Sequence, residues 1–491
     1  QIVVEGEVPV SRNPLELTGE YLIRALMGVR SVSFTITSSQ GQYLPGYLPG
    51  SNFLGTSKEE NILAPGLPFI LGIGDEDFFD KAVANRWITT DTLQTTAASL
   101  KKQMNISLRS SIEPVTGLRI DLTADRKFSE IVNVYYLADA NGNFPESKRN
   151  KTLTGSFSMS VVSWGTAFEK LSPDDAYASP SFNRFKENLL IISRRKGMER
   201  SAKDPSYDPN VPVGGETLED SFASGYSRTS SEVMIPAFLA AYTKIDPEKV
   251  TLETFPSALK MMPNWRITFD GLSKIEFVQR YFNSISITHQ YRSTYQIGNY
   301  NTNLHYGDIG GEYSSARDLQ GNFIPRYEIN TVTISEQFSP LINIDMTWKN
   351  SLSTRFEWRK SRTVSLIMSS NQIADSRTNE LTAGIGYRFD DVNIILKTGG
   401  RQRSLSSDLN VNVDLSIKDN KALARKLVEG VDQPVSGQKV FAAGFRADYI
   451  LSDRFKLQMY VDHNFNKPFV ATTYPTWNTD FGFTLQFTLA Q

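Results

Sequence analysis

The chain has 491 residues, with 52 Lys and Arg against 53 Asp and Glu, 40% apolar residues and no Cys. The balanced charge argues against a nucleic-acid-binding surface, which normally carries an excess of basic side chains. The absence of Cys excludes disulfides and thiolate chemistry. No run in the sequence approaches the ~20 consecutive apolar residues that a transmembrane helix needs, although this argument does not exclude transmembrane strands.

The first 100 residues show no sustained strand periodicity. Residues 40–100 predict an irregular region with helical parts, so we describe residues 1–100 as a mixed helical and strand region that leads into the sheet. The chain starts at Gln1, with neither an initiator Met nor a signal segment. We therefore expect a processed product or a piece of a longer protein.

Residues 101–164 alternate between apolar and polar side chains. This alternation is typical of a strand with one apolar and one hydrated face. We therefore predict barrel strands throughout this region. The apolar positions of the first expected hairpin are Met104, Ile106 and Leu108 before the turn and Leu118, Ile120 and Leu122 after it.

Residues 165–263 interrupt the strand pattern. A helical segment around residues 185–191 runs into the basic residues Arg194, Arg195 and Lys196, residues 201–231 are rich in Pro, Gly, Ser and Asp, and a second helical segment covers residues 235–243. Such composition predicts loops and short helices. We expect an insert between strands, either an extramembrane cap or a segment folded into a lumen.

Residues 264–491 have the clearest alternation and predict barrel strands up to the C-terminal strand. Residues 409–417 alternate strictly, and residues 441–451 and 455–462 form an expected hairpin. We count roughly 15 to 18 candidate strands in the chain, most of 8 to 12 residues, which suits the ~9 to 11 residues of a tilted transmembrane strand. A helical turn at residues 420–428 is expected to interrupt two strands.

The alternation assigns side chains to two sides of the expected wall. The predicted lumen-facing residues are Asn410, Asn412, Asp414, Arg446, Asp448, Lys456, Gln458 and Asp462. The predicted lipid-facing residues are Leu409, Val411, Val413, Leu415, Phe441, Phe445, Leu457, Phe483 and Phe487. Aromatic side chains at strand ends form interfacial girdles in outer-membrane barrels. The predicted interfacial aromatics are Trp348, Trp358, Tyr387 and Phe389.

The sequence gives no sign of an active site. The acidic residues between 75 and 80 lack the spacing of a calcium loop, and the three His residues lie far apart in the chain. We expect no catalytic residue, no metal and no cofactor, and hence no enzyme. The predicted fold class is all-β: a transmembrane β-barrel wall segment, part of a very large single-chain barrel, with partly helical inserts.

Several blocks of residues resemble one family in order along most of the chain. They include Leu-Pro-Gly-Tyr-Leu-Pro-Gly at 44–50 and Ile-Pro-Ala-Phe-Leu-Ala-Ala-Tyr at 235–242. The other blocks are residues 29–34, 77–82, 85–89, 263–273, 336–341 and 345–350. Together they are similar to the C-terminal portion of the SprA (Sov) family, the outer-membrane translocon of the type 9 secretion system of Bacteroidota.

The resemblance implies an integral β-barrel in the bacterial outer membrane that exports folded proteins and is linked to gliding motility. It implies as partners the remainder of the SprA barrel, the PorV shuttle protein at a lateral opening, a periplasmic plug protein, secreted cargo with a type 9 C-terminal domain, and outer-membrane lipid. We expect no nucleic acid among the partners, because the charge is balanced. It carries over no catalytic residue. The length of 491 residues would be only the last part of such a barrel.

Two alternatives stay open at this point. The first is a self-contained outer-membrane porin or uptake channel of about 16 strands. The second is a soluble β-rich adhesin or scaffold whose outer faces are hydrated. The length of the strands and their aromatic ends favour a membrane wall over the second alternative.

Overall fold

The computed structural model describes residues 28–50, 56–59, 62–73, 77–145, 149–170, 177–211, 222–306, 308–309, 313–398, 401–427, 432–452, 455–469 and 473–487. In these ranges the chain is built mainly from strands. The strands are β1 Val29–Tyr43, β2 Thr56–Glu59, β3 Ile62–Pro65, β4 Ala98–Val115, β5 Leu118–Tyr136, β6 Arg149–Ser160, β7 Asn264–Phe269, β8 Phe282–Thr302, β9 Asp308–Ile309, β10 Tyr313–Ser314, β11 Tyr327–Ile329, β12 Thr331–Trp348, β13 Leu352–Ile367, β14 Gln372–Thr398, β15 Arg401–Lys426, β16 Asp432–Ser452, β17 Phe455–Pro468 and β18 Thr476–Phe487.

Helices are few and belong mostly to the connections between strands. They are α1 Leu67–Ile70, α2 Asp77–Ala84, α3 Trp164–Ala167, α4 Pro180–Lys203, α5 Ser231–Thr243 and α6 Glu276–Gln279, with short 3-10 turns at Ala258–Lys260 and Gly271–Lys274. No helix in the described ranges is both long enough and apolar enough to cross a membrane.

One antiparallel sheet of 14 strands organises the chain, in the order β1-β4-β5-β6-β8-β12-β13-β14-β15-β16-β17-β18, with β7 and β11 attached beside β8. Most neighbours in the sheet are also neighbours in sequence, as expected for a series of hairpins. Across the described residues, β1 and β18 are the two outer strands and do not pair with each other. The predicted all-β fold with partly helical inserts is confirmed, and its construction is that of a barrel wall segment.

Several strands are longer than the 8 to 12 residues predicted from sequence. Strand β14 has 27 residues and β15 has 26. Both strands contain polar residues of the kind found in loops. Each strand is nevertheless paired on both sides over most of its length. Because paired neighbours satisfy the backbone N–H and C=O groups, individual polar residues do not end these strands.

The prediction of a helical turn at residues 420–428 is wrong. Strand β15 continues through this segment to Lys426, with unbroken register from Asn420↔Thr378 to Lys426↔Gln372. Pairing with β14 and β16 overrides the helical propensity of a segment that contains Ala422 and Ala424. Residue 428 lies outside the described residues.

The connections between wall strands differ in length at the two ends of the sheet. At one end, which we call the turn end, two or three residues join β4 to β5, β12 to β13, β14 to β15 and β16 to β17. Only the link from β7 to β8, residues 270–281, is longer there. At the other end, which we call the insert end, the long segments between β1 and β4 and between β8 and β12 leave the sheet.

Two short strands, β6 and β7, together occupy the position between β5 and β8 in the sheet. Strand β6 pairs with residues 126–136 of β5, and β7 pairs with residues 118–123. The chain leaves the sheet after Ser160 and returns at Asn264. Residues 161–263, which we call the insert, therefore emerge from the middle of the wall rather than from its rim.

Two helices form the main body of the insert. Helix α4 begins at Pro180, and the hydroxyl of Ser179 accepts a hydrogen bond from the N–H of Phe182, an arrangement that satisfies one of the free N–H groups of the first turn. The helix continues through the basic residues 194–196, further than predicted. Arg195 supports this extension because it donates to the carbonyls of Pro247 and Val250.

The hydrophobic core lies between one face of the sheet and the segments that pack on it, which are the insert and the segment between β1 and β4, with Phe79 and Trp87. Helix α5 is buried from Val233 to Tyr242. It packs with Phe185 and Ile192 of α4 and with strand residues such as Ile297 and Val364. This burial explains why a helix that is apolar on all sides is stable here.

Candidate functional site: the two faces of the sheet

The strand register divides the sheet into two faces. Residues directly opposite each other on neighbouring strands lie on the same face, and successive residues along a strand alternate between faces. Asp414 pairs with Gly444, which pairs with Asp462, and Asp448 pairs with Gln458. The register places all the predicted lumen-facing residues on one face, which we call the polar face: Asn410, Asn412, Asp414, Arg446, Asp448, Lys456, Gln458 and Asp462.

The predicted lipid-facing residues lie together on the opposite face, which we call the apolar face. Val413 pairs with Phe445, Phe445 with Val461, and Val461 with Phe481. The register places all nine predicted lipid-facing residues on this face: Leu409, Val411, Val413, Leu415, Phe441, Phe445, Leu457, Phe483 and Phe487. The structure therefore shows that these residues share one face. The contact of that face with lipid stays a prediction.

Aromatic pairs mark both ends of the β17–β18 hairpin on the apolar face. Phe455 and Phe487 have ring centroids 4.6 Å apart, and Phe465 stacks on Trp477 at 5.3 Å. Ten residues along a strand span about 33 Å. With the usual tilt of a barrel strand, this distance corresponds to a height of about 25 Å, which equals the apolar band of an outer-membrane barrel.

The four predicted interfacial aromatics fall into two rows on the apolar face. Trp348 lies at the turn end against Phe282, with ring centroids 4.0 Å apart, and Tyr387 contacts Phe389 at 4.6 Å. Strand β14 continues past these two residues, so the prediction that they end a strand is wrong.

Trp358 lies in the middle of β13 rather than at a strand end. It pairs with Leu381, and the same register row continues through Ile417 to Phe441. Phe441 in turn pairs with Phe465, the partner of Trp477. Trp358 therefore belongs to the second aromatic row, which we call the upper aromatic row.

The polar face carries two grooves whose linings mix acidic and basic groups. One groove of about 480 Å³ is lined by Asp345, Arg355, Asp414, Arg446 and Gln458, among others. A second groove of about 500 Å³ lies over strands β4 to β8 and is lined by residues that include Arg109, Asp121, Lys127, Arg266 and Arg292. A surface of this kind stays hydrated and has no strong preference for one sign of charge.

Ion pairs on the polar face compensate its most buried carboxylate. Glu357 accepts from Arg355 at 2.8 Å and from Arg359 at 2.6 Å, with only 7% of its side chain exposed. Charge-assisted contacts of this kind are stronger than neutral hydrogen bonds. They hold the arginine side chains along the wall.

Two polar side chains close the break in the wall where the insert departs. The amide of Asn264 donates to the hydroxyl of Ser160 at 3.3 Å. Ser160 accepts from the N–H of Asp125 at 3.0 Å, and Asn264 accepts from the N–H of Ser293 at 2.7 Å. Strands β6 and β7 are interrupted at this point and leave backbone groups of β5 and β8 unpaired. The bonds with Ser160 and Asn264 satisfy these groups.

A buried ion-pair network joins the insert to the apolar face. Arg362 of β13 forms a bidentate contact with Asp375 of β14, at 3.1 and 2.9 Å, and also donates to the carbonyl of Thr166 at 3.0 Å. Arg377 pairs with the same carboxylate at 2.8 Å and donates to the carbonyl of Glu169. The network fixes the segment after α3 against the sheet.

A second carboxylate, Glu169, organises the start of helix α4. Burial alone would raise the pKa of Glu169, but hydrogen bonds from Ser181 and Arg184 outweigh this effect and hold the pKa below its usual range. Arg184 donates to it at 2.8 Å and the hydroxyl of Ser181 at 2.7 Å. Glu169 is therefore a charged residue that stabilises the insert.

The insert covers only part of the apolar face. Toward the insert end, the side chains of Ile297, Ile334, Val364 and Ile373 on this face are almost completely buried under it. Toward the turn end, apolar side chains on the same face stay bare. They include Phe34, Leu108, Ile385, Leu415, Met459, Phe481 and Phe483.

The residues that join the insert to the wall were not among those predicted from the sequence. Arg362 lies between Glu336 and Arg377 in the register, and Asp375 lies between Val364 and Leu423, so several charged residues cluster on an otherwise apolar face. A cluster of opposite charges on an otherwise apolar face is a signal that another part of the chain covers the face there. Ser160 and Asn264 carried no such signal, because hydroxyls and amides are ordinary on strands.

No cluster of His, Asp and Glu that could bind a metal occurs in the part of the chain that the structure describes. The rings of two of the three His residues have separate hydrogen-bond partners. His289 contacts the carbonyl of Leu341 at 2.6 Å, and His463 contacts the hydroxyl of Thr479 at 2.8 Å.

Comparison with solved structures finds distant structural neighbours. No family model and no curated protein matches the chain. The RagAB peptide transporter is 7% identical with a TM-score of 0.25, over 77% of this chain and 37% of that one. An anion-selective porin from Comamonas acidovorans is 8% identical with a TM-score of 0.10, over 81% of this chain and 93% of that one. Likeness at these scores carries no argument about function.

Proposed function

We propose that this chain is part of the wall of an outer-membrane β-barrel. One observation carries the proposal: a continuous sheet has a polar face and, opposite it, a bare apolar band of about 25 Å between aromatic rows. A water-soluble protein rarely leaves so large an apolar surface uncovered. In a bilayer, that band faces the acyl chains and the polar face lines a hydrated interior.

The connections favour one orientation in this membrane. Outer-membrane barrels have short periplasmic turns and longer extracellular loops. The turn end of the sheet is therefore periplasmic in our proposal, and the insert end is extracellular. Because the insert packs on the apolar face, it lies outside the barrel and above the lipid, which favours the extramembrane placement over a lumen placement.

The wall requires further strands on both sides. Within the described part of the chain, strands β1 and β18 each pair on one side only, and both are exposed along nearly their whole length. Lipid cannot hydrogen-bond the free edge of a sheet. We therefore propose that other strands, from a longer chain or from a partner, complete the barrel.

We further propose that the complete barrel is a translocon of the SprA type, which exports folded proteins by type 9 secretion. The ordered sequence blocks support this assignment, and the mixed charge of the polar face suits the passage of large polar cargo. PorV at a lateral opening, a periplasmic plug and cargo with a type 9 C-terminal domain are the partners in this proposal. The link to gliding motility belongs to it as well.

Mass spectrometry of the detergent-purified complex tests the wall proposal. We expect residue 1 to be covalently preceded by further strand-rich sequence, or a companion chain to supply it. Planar-bilayer recording on the isolated chain is the second arm, and we expect no stable conductance. Steady conductance by the isolated chain would instead favour a self-contained porin of about 16 strands, and extraction into buffer without detergent would favour a soluble adhesin.

The translocon proposal needs its own test. In cells that depend on the complete protein, we expect removal of residues 409–487 to abolish secretion of cargo bearing a type 9 C-terminal domain. Secretion that continues at the normal level, with the truncated protein present in the outer membrane, would contradict it.

A further inference from the structure

The apolar face changes character immediately above the upper aromatic row. One register row further toward the insert end, β13 to β17 place Lys360, Asn379, Asp419, Lys439 and Lys467 side by side on this face. Every member of the row is polar, and three are basic. On β16 and β17, beside the upper end of the apolar band of about 25 Å, Lys439 and Lys467 lie at the level at which such a barrel leaves the hydrocarbon and meets lipid headgroups.

Lys439 and Lys467 face each other directly across strands β16 and β17. Both side chains are exposed. Like charges opposite each other in a sheet destabilise it unless a counter-ion lies between them. Among the described residues neither lysine forms an ion pair, and the neighbouring Asp419 already pairs with Lys421 at 3.4 Å.

Aromatic side chains border the two lysines on both sides. Below them lie Phe441 and Phe465, with Trp477 exposed over 69% of its surface. Above them lies Phe469, whose ring is 5.0 Å from the ammonium of Lys421. Aromatic residues beside basic ones suit the boundary where acyl chains meet charged headgroups.

We infer that Lys439 and Lys467 bind the phosphate group of a phosphorylated glycolipid in the outer leaflet, with Phe441, Phe465 and Trp477 against its acyl chains. The inference rests on the proposed membrane wall and its orientation. A phosphate supplies the counter-ion that the opposed lysines lack, and ammonium groups bind phosphate as point charges. The apolar row directly beneath favours a lipid phosphate over a free one.

Titration of the complete, detergent-purified protein with monophosphoryl lipid A, followed by native mass spectrometry, tests this inference. Dephosphorylated lipid A is the matched probe. We expect the phosphorylated lipid to bind about 25-fold more tightly, since each lysine near a phosphate contributes about fivefold. The variants K439Q and K467Q should each lose about fivefold, and the double variant nearly all of the preference.

A matched control removes the same charge at the other boundary. Lys274 and Lys349 are exposed at the turn end, and the double variant K274Q/K349Q should keep the preference for the phosphorylated lipid. Three results would overturn the inference. The unchanged protein could bind both lipids equally, or the control variant could lose as much of the preference as K439Q/K467Q does. Millimolar inorganic phosphate could also displace the phosphorylated lipid completely, which would indicate a site for free phosphate. Failure of the membrane proposal would look different, because the protein would then retain neither lipid and would need no detergent.

Discussion

The covered and bare parts of the apolar face differ in what shields them from water. Toward the insert end, helices α4 and α5 pack on the face, and a buried ion pair joins Arg362 to Asp375 there. Toward the turn end, nothing in the described chain covers Leu415 or Phe483. Strands β14 and β15 thus run from a protein-covered zone into an uncovered one, and the change occurs near the upper aromatic row, where we place the proposed membrane boundary.

The largest expected effect comes from breaking the covered zone at Asp375. D375A leaves Arg362 buried without its carboxylate, and we expect a loss of about 3–5 kcal/mol in unfolding free energy. Hydrogen exchange of the insert in the detergent-purified protein measures this loss. The triple variant R362M/D375L/R377M, which removes every charge of this network that contacts Asp375, should recover most of the loss. A D375A loss below about 1 kcal/mol would contradict the structural role of the network.

The bare zone should respond to a charge in its centre. V413R places a cation at the middle of the proposed lipid-facing band, and we expect it to destabilise the folded protein in lipid vesicles by about 2–4 kcal/mol. The matched variant N412R lies one residue away on the polar face. It should cost much less, and equal costs for the two variants would argue against any difference between the faces.

A smaller effect is expected at the start of helix α4. S179A removes the hydroxyl that caps the helix and should reduce the stability of the insert by about 1 kcal/mol. The same exchange measurement detects this loss, while S179T keeps the hydroxyl and serves as the control. A loss that extends to the bare zone would show that the two zones unfold together.

The smallest effect concerns pH. The pKa of Glu169 is lower in the folded protein than in the unfolded chain, so its contribution to stability is complete above the unfolded value of about 4.3 and is lost as pH falls through the folded value. We expect the insert to loosen progressively at acidic pH. In E169Q this dependence should weaken, and an unchanged pH profile would exclude Glu169 as its source.

Alternation along the strands predicted which side chains share a face. It succeeded for residues 409–417 because neighbouring strands keep one register, so a single pattern extends across the sheet. The alternation could not reveal the break between β6 and β7, at Ser160 and Asn264. Nor could it reveal the extension of β15 through residues 420–426. Both features depend on neighbours that are distant in sequence. Tertiary pairing overrides local propensity at such places.

The contact of the bare apolar zone with lipid is the central claim, and site-specific quenching tests it most directly. The chain has no Cys, so L415C and D414C can each carry one bimane label on opposite faces of β15 in the reconstituted protein. We predict that lipids with brominated acyl chains quench the label at position 415 and that aqueous iodide quenches the label at position 414. Quenching of both labels by iodide alone, or the reverse assignment, would contradict the account.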